Sequence, residues 1–240
     1  MQRQRVLGRL RVAAGAQLLL LLLAAGACRP AASPADLHGL EVVGSLADYR
    51  EQVRRDPEKE LVDLRAAVPG LAVDMPYATA ENFLHRPLYP VARALLRRPA
   101  AASLAAIQAE LAAEGLGLLV WDAYRPYTVT VAMWEAVRDP DFVADPAKGS
   151  RHNRGCAVDV TLIRLATGEA LQMPTAHDDF TPRAAAEATG LPAEVAANRD
   201  RLRAAMERHG FVVLPSEWWH FDYAGWERFE LLDLPLDSLP

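Results

Sequence analysis

The sequence predicts an α+β fold, a single domain with a central, largely antiparallel sheet flanked by helices. Strand-like and helix-like segments alternate along the chain, but without the regular strand-helix-strand rhythm of a parallel α/β sheet. No internal repeat divides the 240 residues. Hydrophobic residues make up 51% of the chain and charged residues 24%, which is the composition of one globular domain with a full-sized core.

The elements follow in order. A short amphipathic helix is expected over Ala47 to Arg55. Strand-like pieces follow at Leu61 to Leu64 and Leu71 to Met75, divided by the turn signal Pro69-Gly70. Helical apolar spacing covers Pro90 to Arg98 and Ala100 to Glu114, with Pro99 as the break and Gly115 and Gly117 closing the second helix. Leu118 to Trp121 reads as a buried strand that delivers Asp122-Ala123-Tyr124-Arg125-Pro126 at its C-terminal end. Pro126 then starts a helix over Tyr127 to Arg138, and Asp139 to Gly149 is a loop. Ala157 to Leu162 alternates as a strand with Ala157, Asp159 and Thr161 on one face. Gly168 to Met173 is expected as a strand or hairpin arm, Pro182 to Thr189 and Pro192 to His209 as helices, and Phe211 to Leu214 and Trp218 to Tyr223 as the last strands.

The N-terminus carries an export signature. Arg3, Arg5, Arg9 and Arg11 precede an apolar run from Val12 to Ala27 that is short for a membrane span. Ala25-Gly26-Ala27-Cys28 resembles a lipobox, although Ala25 stands where leucine is usual, so residues 1–27 are expected to be a signal peptide, with Cys28 a lipid attachment point or, as the alternative, ordinary cleavage nearby; residues 28–36 are expected as a tether and 37–240 as the working domain, in the periplasm. Cleavage removes four arginines and no acid, taking the formal charge from −5 to −9. An acidic domain without a basic stripe is not a nucleic-acid binder. Cys156 is then the one thiol left in the domain, and its small neighbours Gly155 and Ala157 mark it as buried filler.

Two dense motifs carry the chemistry. Ser150-Arg151-His152-Asn153-Arg154-Gly155-Cys156-Ala157-Val158-Asp159 and Glu217-Trp218-Trp219-His220-Phe221-Asp222-Tyr223 bring two histidines among carboxylates, an arrangement an apolar core has no reason to hold unpaired. His152, Asp159 and His220 suit one catalytic zinc, because two neutral imidazoles and a carboxylate leave the ion positive and one position open for water. Glu217 is the natural general base. On a regular strand Glu217 and His220 would face opposite ways, so a bend or bulge is expected at Trp218-Trp219, with one tryptophan in the core and one in the pocket wall. Arg125, at a strand end, has two readings: an oxyanion donor in a cleft, or a salt-bridge partner of a residue such as Asp122.

Tyr77-Ala78-Thr79 with Asn82-Phe83, Trp121 to Pro126, Ser150 to Asp159 and Glu217 to Phe221, in this order and spacing, resemble the D-alanyl-D-alanine dipeptidases, zinc enzymes of vancomycin resistance and of dipeptide use in Gram-negative bacteria. The resemblance runs from about Leu61 to about Tyr223. It implies zinc ligands at His152, Asp159 and His220, a base at Glu217, transition-state stabilisation by Arg125, an ammonium anchor at Asp178 and a place for Ser150 near the substrate carboxylate. His177 stands where a phenylalanine is usual. The implied substrate is the free dipeptide. A D,D-carboxypeptidase or wall endopeptidase of the same clan, and a silent wall-binding module that keeps zinc for structure, are the alternatives; Glu217 and Arg125 argue against the last, since neither is needed merely to hold metal.

Overall fold

The computed structural model describes residues 38–140 and 142–239; the residues expected to form an export signal and a tether lie outside them. Among the described residues no helix is long and apolar enough to cross a membrane. A parallel pair of two-residue strands, β1 (Val42–Val43) and β9 (Leu231–Leu232), joins the two ends of the domain. Helix α1 (Leu46–Arg55) starts at Ser45, whose hydroxyl accepts from the Asp48 amide as an N-cap, and Arg54 and Arg55 suit its C-terminal dipole. β2 (Leu61–Asp63) is followed by the short α2 (Leu64–Ala67) and β3 (Ala72–Val73).

The main sheet has the order β3-β5-β6-β8-β7, with β5 (Leu116–Asp122), β6 (Ala157–Arg164), β7 (Phe211–Leu214) and β8 (Glu217–Tyr223). β3 runs parallel to β5 and the other three pairings are antiparallel, so the expected sheet is present. Helices α3 (Arg98–Ala112) and α5 (Ala193–Arg208) bury Leu104, Ile107, Leu111, Leu202 and Met206 in one core with Val158, Val160 and Leu162 of β6. At roughly 1.5–3 kcal/mol for each such side chain, this face is what holds the sheet to its helices. It leaves Asp159, on the opposite pleat of β6, to face away from the helices.

Three expected elements differ. Pro90 to Arg98 is not a helix: Leu95–Arg97 forms β4, antiparallel to β2. Leu95 and Leu96 are both fully buried, and a strand covered on both faces loses the alternation that betrays strands in a sequence. Pro99 accordingly does not separate two helices but sits in the first turn of α3, where its missing N–H is harmless. Gly168 to Met173 makes a single bridge, Ile163 to Ala170. Pro182 to Thr189 forms only one 3₁₀ turn, Pro182–Ala184, because Ala186 gives its N–H to the Pro215 carbonyl across the molecule instead of to a helical partner. Helix α4 (Tyr127–Val137) follows Pro126 as expected and ends on Arg138 in the left-handed region.

Candidate metal centre

The site is a row across the sheet. Asp122 on β5 lies opposite Asp159 on β6, and Asp159 lies opposite His220 on β8. Two irregularities build this row. On β5, Val120 pairs with Val160 and Asp122 with Asp159, so Trp121 is an extra residue that bulges and re-aims its neighbours. On β8, Phe221 pairs with Val213 while Glu217 pairs with the adjacent Leu214, so Trp218, Trp219 and His220 have no partner across β7. This is the bulge that the odd spacing of Glu217 and His220 demanded, and it turns both side chains into one cavity. Trp219 lines that cavity, while Trp218 is buried and donates its ring N–H to Thr175.

His152 arrives from a loop. The segment 150–155 turns through a 3₁₀ helix, His152–Arg154, and Gly155 closes it at φ +66° with its N–H on the His152 carbonyl. Asn153 pins the loop by donating to the Arg125 carbonyl and the Thr130 hydroxyl. From below, the buried Arg97 donates to the carbonyls of Arg154, Lys59 and Glu230. Ser150 lines the cavity, and its hydroxyl oxygen accepts from the His152 amide.

The three donor atoms form a tight triangle. His220 Nδ1 is 3.1 Å from both His152 Nε2 and Asp159 Oδ1, and His152 Nε2 is 3.5 Å from Asp159 Oδ1. A tetrahedral ion with bonds of about 2.0–2.1 Å spaces its ligand atoms about 3.3 Å apart, so the triangle fits zinc without rearrangement. The protons are placed to match. His152 Nδ1 lies 2.6 Å from the Ala123 carbonyl and His220 Nε2 lies 3.0 Å from Asp222 Oδ1, so each ring gives its N–H away from the centre and turns a lone pair toward the other. Asp159 Oδ1 is buried without a hydrogen-bond donor. Two lone pairs and an orphaned carboxylate oxygen at such distances repel unless a cation lies between them. Among the described residues His152, Asp159 and His220 are the group able to hold a metal.

Glu217 stands beside the triangle, its Oε2 3.8 Å from His220 Nδ1. Burial pushes its carboxyl up to about 7; His220 opposes the shift, and Asp159 and Asp178 add to it. Asp178 also has its pKa raised by burial, which His177 opposes and Asp159 reinforces. The Tyr77 hydroxyl donates to Asp178 at 2.9 Å. The cavity joining these groups holds about 200 Å³, below the roughly 300–1,000 Å³ of sites for drug-sized ligands. Phe83 and Phe142 each pack on Phe180 at its rim.

Arg125 satisfies both of its readings in part. It lines the cavity, yet its Nε and Nη2 fork onto Asp122 Oδ2 at 3.0 and 2.7 Å and its guanidinium lies over the Tyr77 ring. All seven expected site residues therefore meet at one cavity. Sequence reasoning gave no role to Asp222, although its position two residues beyond His220 on a strand was a usable signal. Tyr77 and Trp121 entered the sequence reading as motif residues without a role, and His177 only as an unusual residue of the ammonium subsite, since their contacts depend on loops and on the β5 bulge.

Comparison with known proteins agrees with this geometry. The sequence profile of the M15 peptidases, described as D-ala-D-ala dipeptidase, matches residues 57–230. A D-alanyl-D-alanine dipeptidase of Escherichia coli is 38% identical over 72% of this chain and 89% of its own length. One from Enterococcus faecium is 34% identical over 64% of this chain and 86% of its own. Among solved structures, a vancomycin-resistance D,D-dipeptidase aligns at 20% identity with a TM-score of 0.36, over 68% of this chain and 58% of the other, too loosely to add weight. The profile match spans most of the described domain, and on it and the two relatives this chain belongs to the M15 peptidase family of D-alanyl-D-alanine dipeptidases.

Proposed function

We propose that this protein is a zinc metallopeptidase that hydrolyses the free dipeptide D-Ala-D-Ala to two D-alanines. The observation that carries the reading is the triangle of His152, Asp159 and His220 donor atoms, with Glu217 beside it and Asp178 in the same small cavity. When bound there, zinc would supply a Lewis acid that lowers the pKa of a water toward about 7. Glu217 takes the proton of the attacking water and returns it to the leaving amine, as a carboxylate beside the site that does not itself hold the metal can do. Arg125 is the oxyanion donor of the scheme. Asp122 fixes the plane of its guanidinium through Nε and Nη2, two of the three nitrogens of the fork.

Asp178 sets the substrate. It is a buried carboxylate whose hydrogen-bond partner is a neutral phenol, so the ammonium of a free dipeptide would supply the missing charge. Ser150 would sit toward the substrate carboxylate. The basic and apolar N-terminal run supports export to the periplasm, with Cys28 as a lipid anchor, so the substrate would be met outside the cytoplasm.

The test is a comparison of D-Ala-D-Ala with N-acetyl-D-Ala-D-Ala on the zinc-loaded protein. Acetylation removes the ammonium and leaves the largely buried Asp178 with a neutral hydroxyl as partner and no countercharge from the substrate, which costs about 1–3 kcal/mol. The acetylated dipeptide should therefore fall at least ~10-fold in kcat/KM, and Asp178→Asn should hurt the free dipeptide far more than the acetylated one. Equal kcat/KM for the two would replace the dipeptidase with a D,D-carboxypeptidase or endopeptidase.

A further inference from the structure

His177 is a buried side chain that the mechanism above does not use. Its ring stacks on Trp121 with centroids 4.8 Å apart at 23°, meets the edge of Trp219 at 5.6 Å and tilts against Tyr77 at 5.9 Å. Three aromatic walls thus fix the plane of the imidazole, two of them supplied by the bulged residues of β5 and β8. One ring atom is left pointing inward. Nε2 lies 3.5 Å from Asp159 Oδ2 and 3.5 Å from Asp178 Oδ1, and it is buried without a hydrogen-bond partner. Facing two carboxylates, this nitrogen carries the proton, and both acceptors sit at the outer edge of hydrogen-bond length.

The backbone is bent to make this possible. Consecutive residues in extended chain point apart, but Asp178 adopts φ +57°, a left-handed conformation that L-residues adopt at a cost. With that twist the ring nitrogen of His177 and the carboxylate of Asp178 face each other, 3.5 Å apart. The oxygen His177 faces on Asp159 is Oδ2, while Oδ1 is the one turned to His152 and His220, so the imidazole addresses the outer side of the candidate ligand and is not itself part of the triangle.

We propose that His177 is a positioning residue that couples the metal site to the substrate anchor, its Nε2–H holding the outer oxygen of Asp159 and the near oxygen of Asp178 in one geometry. The proposal rests on the zinc dipeptidase reading, since it needs Asp159 as a ligand and Asp178 as the ammonium partner. A donor to the outer oxygen of a ligating carboxylate stops that carboxylate rotating away from the ion, and partners of this kind are worth about 10–100-fold in metal affinity. The same donor stops Asp178 from swinging toward Asp159, which keeps it available to the substrate.

The experiment measures zinc affinity by competition with a chromophoric chelator, together with steady-state kinetics on D-Ala-D-Ala, for wild type, His177→Phe and His177→Gln. Phenylalanine keeps the stack on Trp121 and removes the N–H; glutamine restores a donor. His177→Phe should weaken zinc binding by about 10-fold or more and raise KM by a larger factor than it lowers kcat. His177→Gln should recover part of both losses. Wild-type zinc affinity in His177→Phe, or no recovery in His177→Gln, overturns the proposal, and failure of His177→Phe to hold stoichiometric zinc at saturation would make His177 a ligand instead. If circular dichroism shows that His177→Phe is misfolded, His177→Leu against His177→Gln makes the same comparison without the ring. A wild-type protein that binds zinc but leaves D-Ala-D-Ala intact would sink the substrate reading, while the affinity comparison would still decide the role of His177 toward Asp159.

Discussion

Glu217 shows how much the surroundings of one side chain decide. The residue is a carboxylate like any other in the sequence, but its side chain is only 12% exposed, beside the acids Asp159 and Asp178. As the proposed base, it should be needed for turnover but not for metal: Glu217→Gln should keep stoichiometric zinc and lose kcat by at least ~10²-fold. Loss of zinc with activity would move it among the ligands. Its burial should also be visible without metal. A folded pKa of about 7 against an ordinary 4.5 means stability that is fully present below pH 4.5 and is lost as pH rises through 7. In chelator-treated protein, the unfolding free energy of wild type relative to Glu217→Gln should therefore fall between these pH values by an amount on the order of 3 kcal/mol, as read from urea titrations. A difference that stays flat with pH would contradict the burial.

At the scale of elements, the site depends on where strands and turns break their own rules. The bulges at Trp121 and at Trp218 to His220 aim side chains that a regular pleat would point elsewhere. The turn at Gly155 has no space for a side chain: a Cβ there would lie 2.5 Å from Leu61 Cδ2 and 3.4 Å from Arg97 Cγ, on a residue already at positive φ. Gly155→Ala should cost roughly 2–4 kcal/mol, from left-handed strain plus overpacking. Because Arg97 also donates to the Arg154 carbonyl, the displacement should reach His152 and weaken zinc binding as well. Chemical denaturation and metal content measure the two effects, and wild-type values for both would show that the turn is not the support described. His152, Asp159 and His220 could be picked out as candidate donors in the sequence because they are ionisable groups gathered in segments of small, apolar or aromatic residues. β4 was not legible, because Leu95 and Leu96 are buried on both faces and read as a helix.

For the whole molecule, the candidate metal site is a junction. Its donors come from the loop before β6, from β6 and from β8, and the buried Asp122 and Asp159 converge there with the partly buried Asp178 and Glu217 around Arg125. A cation that offsets this charge should stabilise the entire fold by mass action. Zinc at about 100 times its Kd should add roughly 2.7 kcal/mol, so chelation should lower Tm, and stepwise return of zinc should raise it in proportion to the logarithm of free zinc. Calorimetry of wild type and His220→Ala checks this: the variant should lose the dependence, and a Tm indifferent to zinc in wild type would show that the site is not coupled to folding.

What the sequence by itself determined is the chemistry and its order along the chain: two histidines, an aspartate and a glutamate in two motifs, an arginine at a strand end, and enough alternation to place most of the sheet. Those features are local, since donor type is a property of a residue and burial period a property of a segment. Only the tertiary structure decided that Asp122, Asp159 and His220 form one row, that Leu95–Arg97 is a strand, and that His177 faces both Asp159 and Asp178. A register and a bulge are defined by the mismatch between two strands, and a loop contact by two distant segments. Neither strand and neither segment carries that information alone.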